Sequence, residues 1–141
     1  MADLSVLIRL HKYELDEKRR ALSELHGQMA EMERRRRDLE RSFEAEKEAI
    51  RLNGDVHFTF AQYAETVRQQ QRDMIEEEQR LEKHIEKAKE SLMETFSELK
   101  KYEMTQEERE RLEAEEQAIK ESREMDAIGL EGFRRKSDEN A

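Results

Sequence analysis

A chain of 141 residues in which 45% are charged and only 35% hydrophobic carries too little apolar material for a globular core. A formal net charge of −9 sets it against nucleic acid as a main partner, because phosphate binding needs a basic face. With no cysteine there is no disulfide framework or cysteine-based zinc site, and no run approaches the ~18 apolar residues of a membrane span.

Disorder is the first alternative for such a composition. Two features oppose it: Glu, Lys, Arg, Leu, Met, Gln and Ala, all good helix formers, dominate, and the apolar residues recur with a regular period. The opening stretch Leu4 to Tyr13 is too short and too interrupted for a secretory leader. These features predict a soluble intracellular helical protein with no direct membrane insertion.

A first helix is predicted over about residues 3–52. Its apolar positions advance by alternating steps of four and three, through Leu4, Ile8, His11, Leu15, Lys18, Leu22, Leu25, Met29, Met32, Arg36, Leu39, Phe43, Glu46 and Ile50. That is a heptad seam sustained along the whole segment. Four arginines, Arg34 to Arg37, interrupt its outer surface. Successive helical residues point in different directions, and Glu31, Glu33, Asp38 and Glu40 surround them, so they read as a salt-bridged collar rather than a nucleic-acid patch.

The pattern breaks once, at Arg51-Leu-Asn-Gly-Asp-Val-His-Phe-Thr-Phe60. Asn53, Gly54 and Asp55 tolerate positive φ and mark a turn, so residues 53–58 form the predicted tip. Thr59 and Gln62 stand in capping-box spacing and predict the start of a second helix at about residue 59, running to about 126.

The second seam runs Phe60, Ala64, Val67, Gln71, Met74, Glu78, Leu81, Ile85, Ala88, Leu92, Thr95, Leu99 and Tyr102. Folding back at residue 55 sets every seam position of the first helix from Ile8 onward against one of the second. Phe43 meets Val67, Met29 meets Leu81 and Ile8 meets Tyr102, while the polar intruders never face one another: His11 faces Leu99, Lys18 faces Leu92 and Arg36 faces Met74. The predicted fold is all-α, an antiparallel two-helix coiled-coil hairpin with an overhanging C-terminal helix.

At 1.5 Å per residue the helices extend ~75 Å and ~100 Å, leaving the last turns of the second without a partner. There the seam thins to Leu112 and Ile119 amid Glu/Arg/Lys pairs at i, i+3 and i+4, each worth ~0.2–0.5 kcal/mol. Gly129 and Gly132 are expected to end the helix, leaving 127–141 as a loose tail of a single domain.

No catalytic constellation emerges. His11, His26, His57 and His84 are scattered without metal-ligand spacing, no Gly-rich phosphate loop occurs, and a two-helix rod offers no concave pocket. The expectation is a non-enzyme without metal or cofactor. Several apolar residues lie off the seam: Val6, Leu7, Leu10, Tyr63, Ile75, Met93, Phe96 and Met104. They fit a wider seam, self-association into a four-helix bundle, or docking surface for other proteins. On the last reading both ends of the rod carry docking surface, and the apolar N-terminus and the unpaired C-terminal helix lie at the same end, away from the tip.

The heptad-type first helix, the Leu52-Asn53-Gly54 break, the aromatic-x-x-aromatic opening Phe60-Ala61-Gln62-Tyr63 and the polar helical C-terminus together resemble the FliJ family of flagellar export proteins. The resemblance spans nearly the whole chain. It implies an antiparallel two-helix stalk of the flagellar type III export machinery, similar to the gamma subunit of rotary ATP synthases. It implies that the end bearing the termini enters the hexameric export ATPase ring and promotes its assembly. The middle and tip would reach the linker of the membrane export gate FlhA, with a further link to recycling of export chaperones. The ring-docking residues are then Leu4, Leu7, Ile8, Leu10, Leu112 and Ile119.

The family's gate-contacting face, at i, i+4, i+7 and i+11 on the second helix, falls on Tyr63, Val67, Gln70 and Met74, where Gln70 and Met74 depart from the family's small and His residues. Phe43 and Ile50 complete it from the first helix. The implied location is cytoplasmic and peripheral, at the inner-membrane base of the flagellum, and the implied state is a monomer. Readings of other kinds are a chaperone-like tether for export substrates, the equivalent stalk of a virulence type III system, and a parallel dimeric scaffold in which the Asn-Gly-Asp break is a kink.

Overall fold

A computed structural model describes residues 3–53 and 57–140, apart from the side chains of residues 57 and 58. Two helices account for nearly all of them: α1, Ser5–Asn53, and α2, His57–Glu139. Neither contains proline, and the predominance of Glu, Lys, Arg, Leu and Gln keeps the helix-forming tendency high along both. Asp3 starts α1: its Oδ1 accepts the Ser5 backbone N–H at 3.0 Å, and its Oδ2 accepts the Ser5 hydroxyl at 2.7 Å. These hydrogen bonds, the backbone one foremost, hold the Asp3 carboxyl below its ordinary range.

Residues 12–96 form one compact unit and residues 3–11 with 97–140 a second. Within the first, α1 and α2 pack antiparallel, for the partners of Lys18, Arg36 and Phe43 on α2 are Ser91, Glu78 and Phe60 in turn. The chain is thus an all-α two-helix hairpin. Leu15, Ala64, Val67, Leu81 and Ile85 are buried between the helices, with Val67 only 1% exposed. Every expected seam position of this unit is at least half-buried except Glu46, which is exposed. In the second unit Leu4 and Leu99 are buried, and Ile8, His11, Tyr102, Gln106 and Arg109 are half-buried. From Glu110 to Asn140 every residue is exposed.

Three expectations need correction. The polar intruders do meet. Lys18 Nζ donates to Ser91 O at 3.3 Å and to the buried Thr95 hydroxyl, and Arg36 Nη1 lies 3.1 Å from Glu78 Oε2. Setting residues strictly opposite one another ignored the diagonal neighbour one turn along, which long cationic side chains reach.

Thr59 is not a cap. α2 begins at His57, so Thr59 sits inside the first turn; nothing in this proline-free stretch stops the helix from starting earlier. The turn residues Gly54 and Asp55 lie outside the described residues.

Residues 127–139 are helical rather than a loose tail. Gly129 and Gly132 do not adopt the left-handed backbone of a helix stop, and nothing lies within 4 Å of where a Cβ would stand. Each costs ~1 kcal/mol relative to alanine. The residues around them, with Arg135 reaching back to Glu131 at 3.4 Å, carry the helix through.

Candidate functional site

Helical spacing gathers an aromatic cluster in the unit of residues 12–96. Phe43 of α1 stacks on Phe60 of α2 with centroids 6.0 Å apart and an interplanar angle of 12°, and Tyr63 stands 6.2 Å from Phe43. Lys47, one turn along α1, places its ammonium 4.6 Å from the Phe43 centroid, a cation–π contact. Phe60 and Tyr63 also line a groove with Glu46, Ala49, Ile50, Asn53 and Thr59. Of the expected gate-facing residues, the structure therefore brings Phe43, Tyr63 and Ile50 together. The sequence reading missed Lys47, although its i+4 spacing from Phe43 was a visible signal.

The remaining three separate. Gln70 and Met74 line another groove, with Met32, Arg35, Asp73 and Glu77. Val67 is buried, which removes it from any surface contact. The physical reason is geometric: i, i+4, i+7 and i+11 describe one stripe of α2, and that stripe is largely the one turned to α1. Only its flanks, Tyr63 and Gln70, and the edge at Met74 retain exposure.

Residues 3–11 with 97–140 form a different kind of surface. Leu4 is 8% exposed and Ile8 half-buried, so these two of the expected docking residues serve the packing instead. His11 is fixed beside them: Nδ1 lies 2.8 Å from Leu7 O, Nε2 3.2 Å from Glu98, and the ring 5.0 Å from that of Tyr102. Leu7, Leu10, Leu112 and Ile119 are exposed as expected for a docking surface. Met125, Ile128, Leu130 and Phe133 are exposed too, and were missed because the helix was expected to end before them.

On α2 the exposed apolar residues have a direction. Leu112, Ile119 and Phe133 are separated by whole heptads, and Leu130 precedes Phe133 by three, so the four share one face, interrupted by Asp126. Steps of three and four from the half-buried Gln106 and Arg109 lead to Glu113, Glu116 and Lys120 instead. The apolar row is therefore not the packing seam continued but a neighbouring stripe. The rest of this stretch is carried by local ion pairs. Arg111 bridges Glu108 at 2.5 Å and Glu115 at 2.6 Å; its hydrogen bond lowers the Glu108 carboxyl below its ordinary value, and Glu108 in turn raises the guanidinium.

The arginine collar is paired much as expected, Arg34 to Glu31 at 2.6 Å and Arg37 to Glu33 at 3.9 Å, with Arg36 alone reaching across to α2. Among the described residues no group of three or more His, Cys, Asp or Glu is placed to hold a metal ion. No helix among them is long and apolar enough to cross a membrane. What this arrangement offers chemically is surface: an aromatic groove in one unit, an apolar helix face in the other.

A protein-family model described as Flagellar FliJ protein matches residues 1–138. No curated protein and no solved structure matches the chain.

Proposed function

Because the chain belongs to the flagellar FliJ protein family over residues 1–138, and so to the flagellar export apparatus, we propose that it is the stalk of that apparatus. On this reading the unit of residues 3–11 with 97–140 docks in the export ATPase ring through Leu7, Leu10, Leu112 and Ile119, with Leu130 and Phe133 extending the same face. Leu4 and Ile8 support that surface from beneath. The aromatic groove of Phe43, Ile50 and Tyr63, and the neighbouring Gln70 and Met74, meet the linker of the membrane export gate FlhA. Docking promotes ring assembly and links ATP hydrolysis to the gate, and the same stalk takes part in recycling export chaperones. Its place is the cytoplasm at the inner-membrane base of the flagellum.

The observation that carries the proposal is the run of exposed apolar residues from Leu112 to Phe133, on a helix with nothing packed over it among the described residues. Apolar side chains spaced along one face of a charged helix are how a helix anchors in a groove. The test is the ATP hydrolysis rate and ring size of the cognate export ATPase, with and without the chain, and with Leu7→Ser/Leu10→Ser and Leu112→Ser/Ile119→Ser variants. The intact chain should raise both and the variants should lose the effect. No change with the intact, folded chain overturns the stalk reading. Binding to export chaperones or substrates without the ATPase would instead favour the tether, which the same apolar face serves equally well. A virulence-type stalk would act on the ATPase of its own system.

A further inference from the structure

A heptad seam does not by itself choose its partner. Leu22, Leu25, Met29, Met32 and Leu39 on α1 suit any apolar seam of comparable length, including the same residues of a second copy. In a parallel in-register pair of two chains, each seam position faces itself. Lys18 would then meet Lys18, Arg36 would meet Arg36, and Glu78 would meet Glu78.

The hairpin resolves all three. Arg36 Nη1 sits 3.1 Å from Glu78 Oε2, and Lys18 Nζ donates to Ser91 O and to the hydroxyl of Thr95, which is 3% exposed. Sliding the helices by one heptad would set Arg36 against Gln71 or Ile85 and strand Glu78. The Glu78 side chain is 15% exposed and its Oε1 is buried without a hydrogen-bond partner. The pair is only partly buried, with the Arg36 side chain 42% exposed, and packed hydrophobic residues commonly match or outdo such an ion pair, so a layer built for stability alone would be apolar.

We propose that Lys18, Arg36 and Glu78 act as selectors: they commit the chain to antiparallel pairing with itself and exclude parallel pairing with a second copy. The inference concerns how the chain chooses its fold and does not depend on the stalk reading.

The test uses the full-length chain, wild type, with Lys18→Leu/Arg36→Leu/Glu78→Leu, and with the exchange Arg36→Glu/Glu78→Arg. The exchange keeps opposite charges in the hairpin and like charges in the parallel pair. Sedimentation equilibrium reads association. Spin labels at His26→Cys and His84→Cys, both exposed and on a chain with no other cysteine, read the hairpin under dilution with unlabelled chain. In the antiparallel hairpin the labels lie side by side, whereas continuous parallel helices separate them by ~87 Å at 1.5 Å per residue.

The triple-leucine variant should dimerise at least tenfold more tightly than wild type and lose at least half of its short-distance population. The exchanged variant should match wild type in both. A triple-leucine variant that keeps the short distance in full, whether monomeric or as a dimer of intact hairpins, overturns the proposal. So does an exchanged variant that associates as readily as the triple-leucine one.

Discussion

Residues 12–96 and residues 110–140 are written in nearly the same alphabet, yet they stay helical for different reasons. In the first stretch apolar residues at alternating steps of three and four disappear between α1 and α2, as Leu81 and Ile85 do. In the second, Ile119, Leu130 and Phe133 remain in water, and the helix rests on backbone hydrogen bonds and pairs such as Arg111 with Glu115. The contrast teaches that charge content decides little here. Whether an apolar row meets a second row decides whether the helix contributes to a core or keeps its apolar side chains in water.

The comparison breaks most directly with a pair of truncations. Leu81→Ala should cost about 2–4 kcal/mol in a thermal or urea melt, as a buried leucine does, whereas Leu130→Ala should stay within about 0.5 kcal/mol. Equal losses would mean that Leu130 is covered in the free chain. Next in size is glycine. Gly27 lies in α1 with open space where a Cβ would stand and no left-handed φ, so Gly27→Ala should raise the unfolding free energy by about 0.5–1 kcal/mol.

The same change at Gly129 or Gly132 should sharpen the contrast: amide exchange in residues 110–140 should slow while the main transition holds still. Smaller again is Arg111→Ala, which should lower helix content in that stretch slightly, an effect that added salt should erase. The smallest concerns Asp3, whose folded-state carboxyl titrates below its ordinary value. Its cap is therefore intact at neutral pH and fails only as pH falls through that lowered value. Asp3→Ala should cost first-turn amide protection at neutral pH and remove that acid dependence.

Much of the fold was legible because the seam is a one-dimensional signal. Leu15, Val67, Leu81 and Leu99 could be placed inside by counting threes and fours, and the structure buries each of them. Counting fails where a side chain is longer than the step. Lys18 and Arg36 reach a turn beyond the residue set opposite them, so their meetings with Thr95 and Glu78 were invisible. It also fails at weak punctuation, since Gly129 and Gly132 are as compatible with an exposed helix as with its end.

The candidate surfaces were less legible than the fold. Leu4 and Val67 stand on the counted seams and also on the faces that the family resemblance assigns to partners, and the structure buries both, so the seam and not the resemblance places them. The aromatic group of Phe43, Phe60 and Tyr63 was readable only in part, since its convergence depends on how the two helices are set against each other.

Arg36 and Glu78 are 42 residues apart along the chain, His11 and Glu98 87 apart. Closing a loop twice as long costs about 0.6 kcal/mol more in chain entropy, so pairing should begin near the turn and zip toward the first residues. On the ribosome the order of birth runs the other way. At about 5–20 residues per second the stretch around Leu4 and Ile8 emerges ahead of its partners and waits on the order of ten seconds for them to be made. The seam residues farthest from their partners along the chain thus wait longest to be covered, which makes the opening turns of α1 the part of the seam most in need of protection during synthesis.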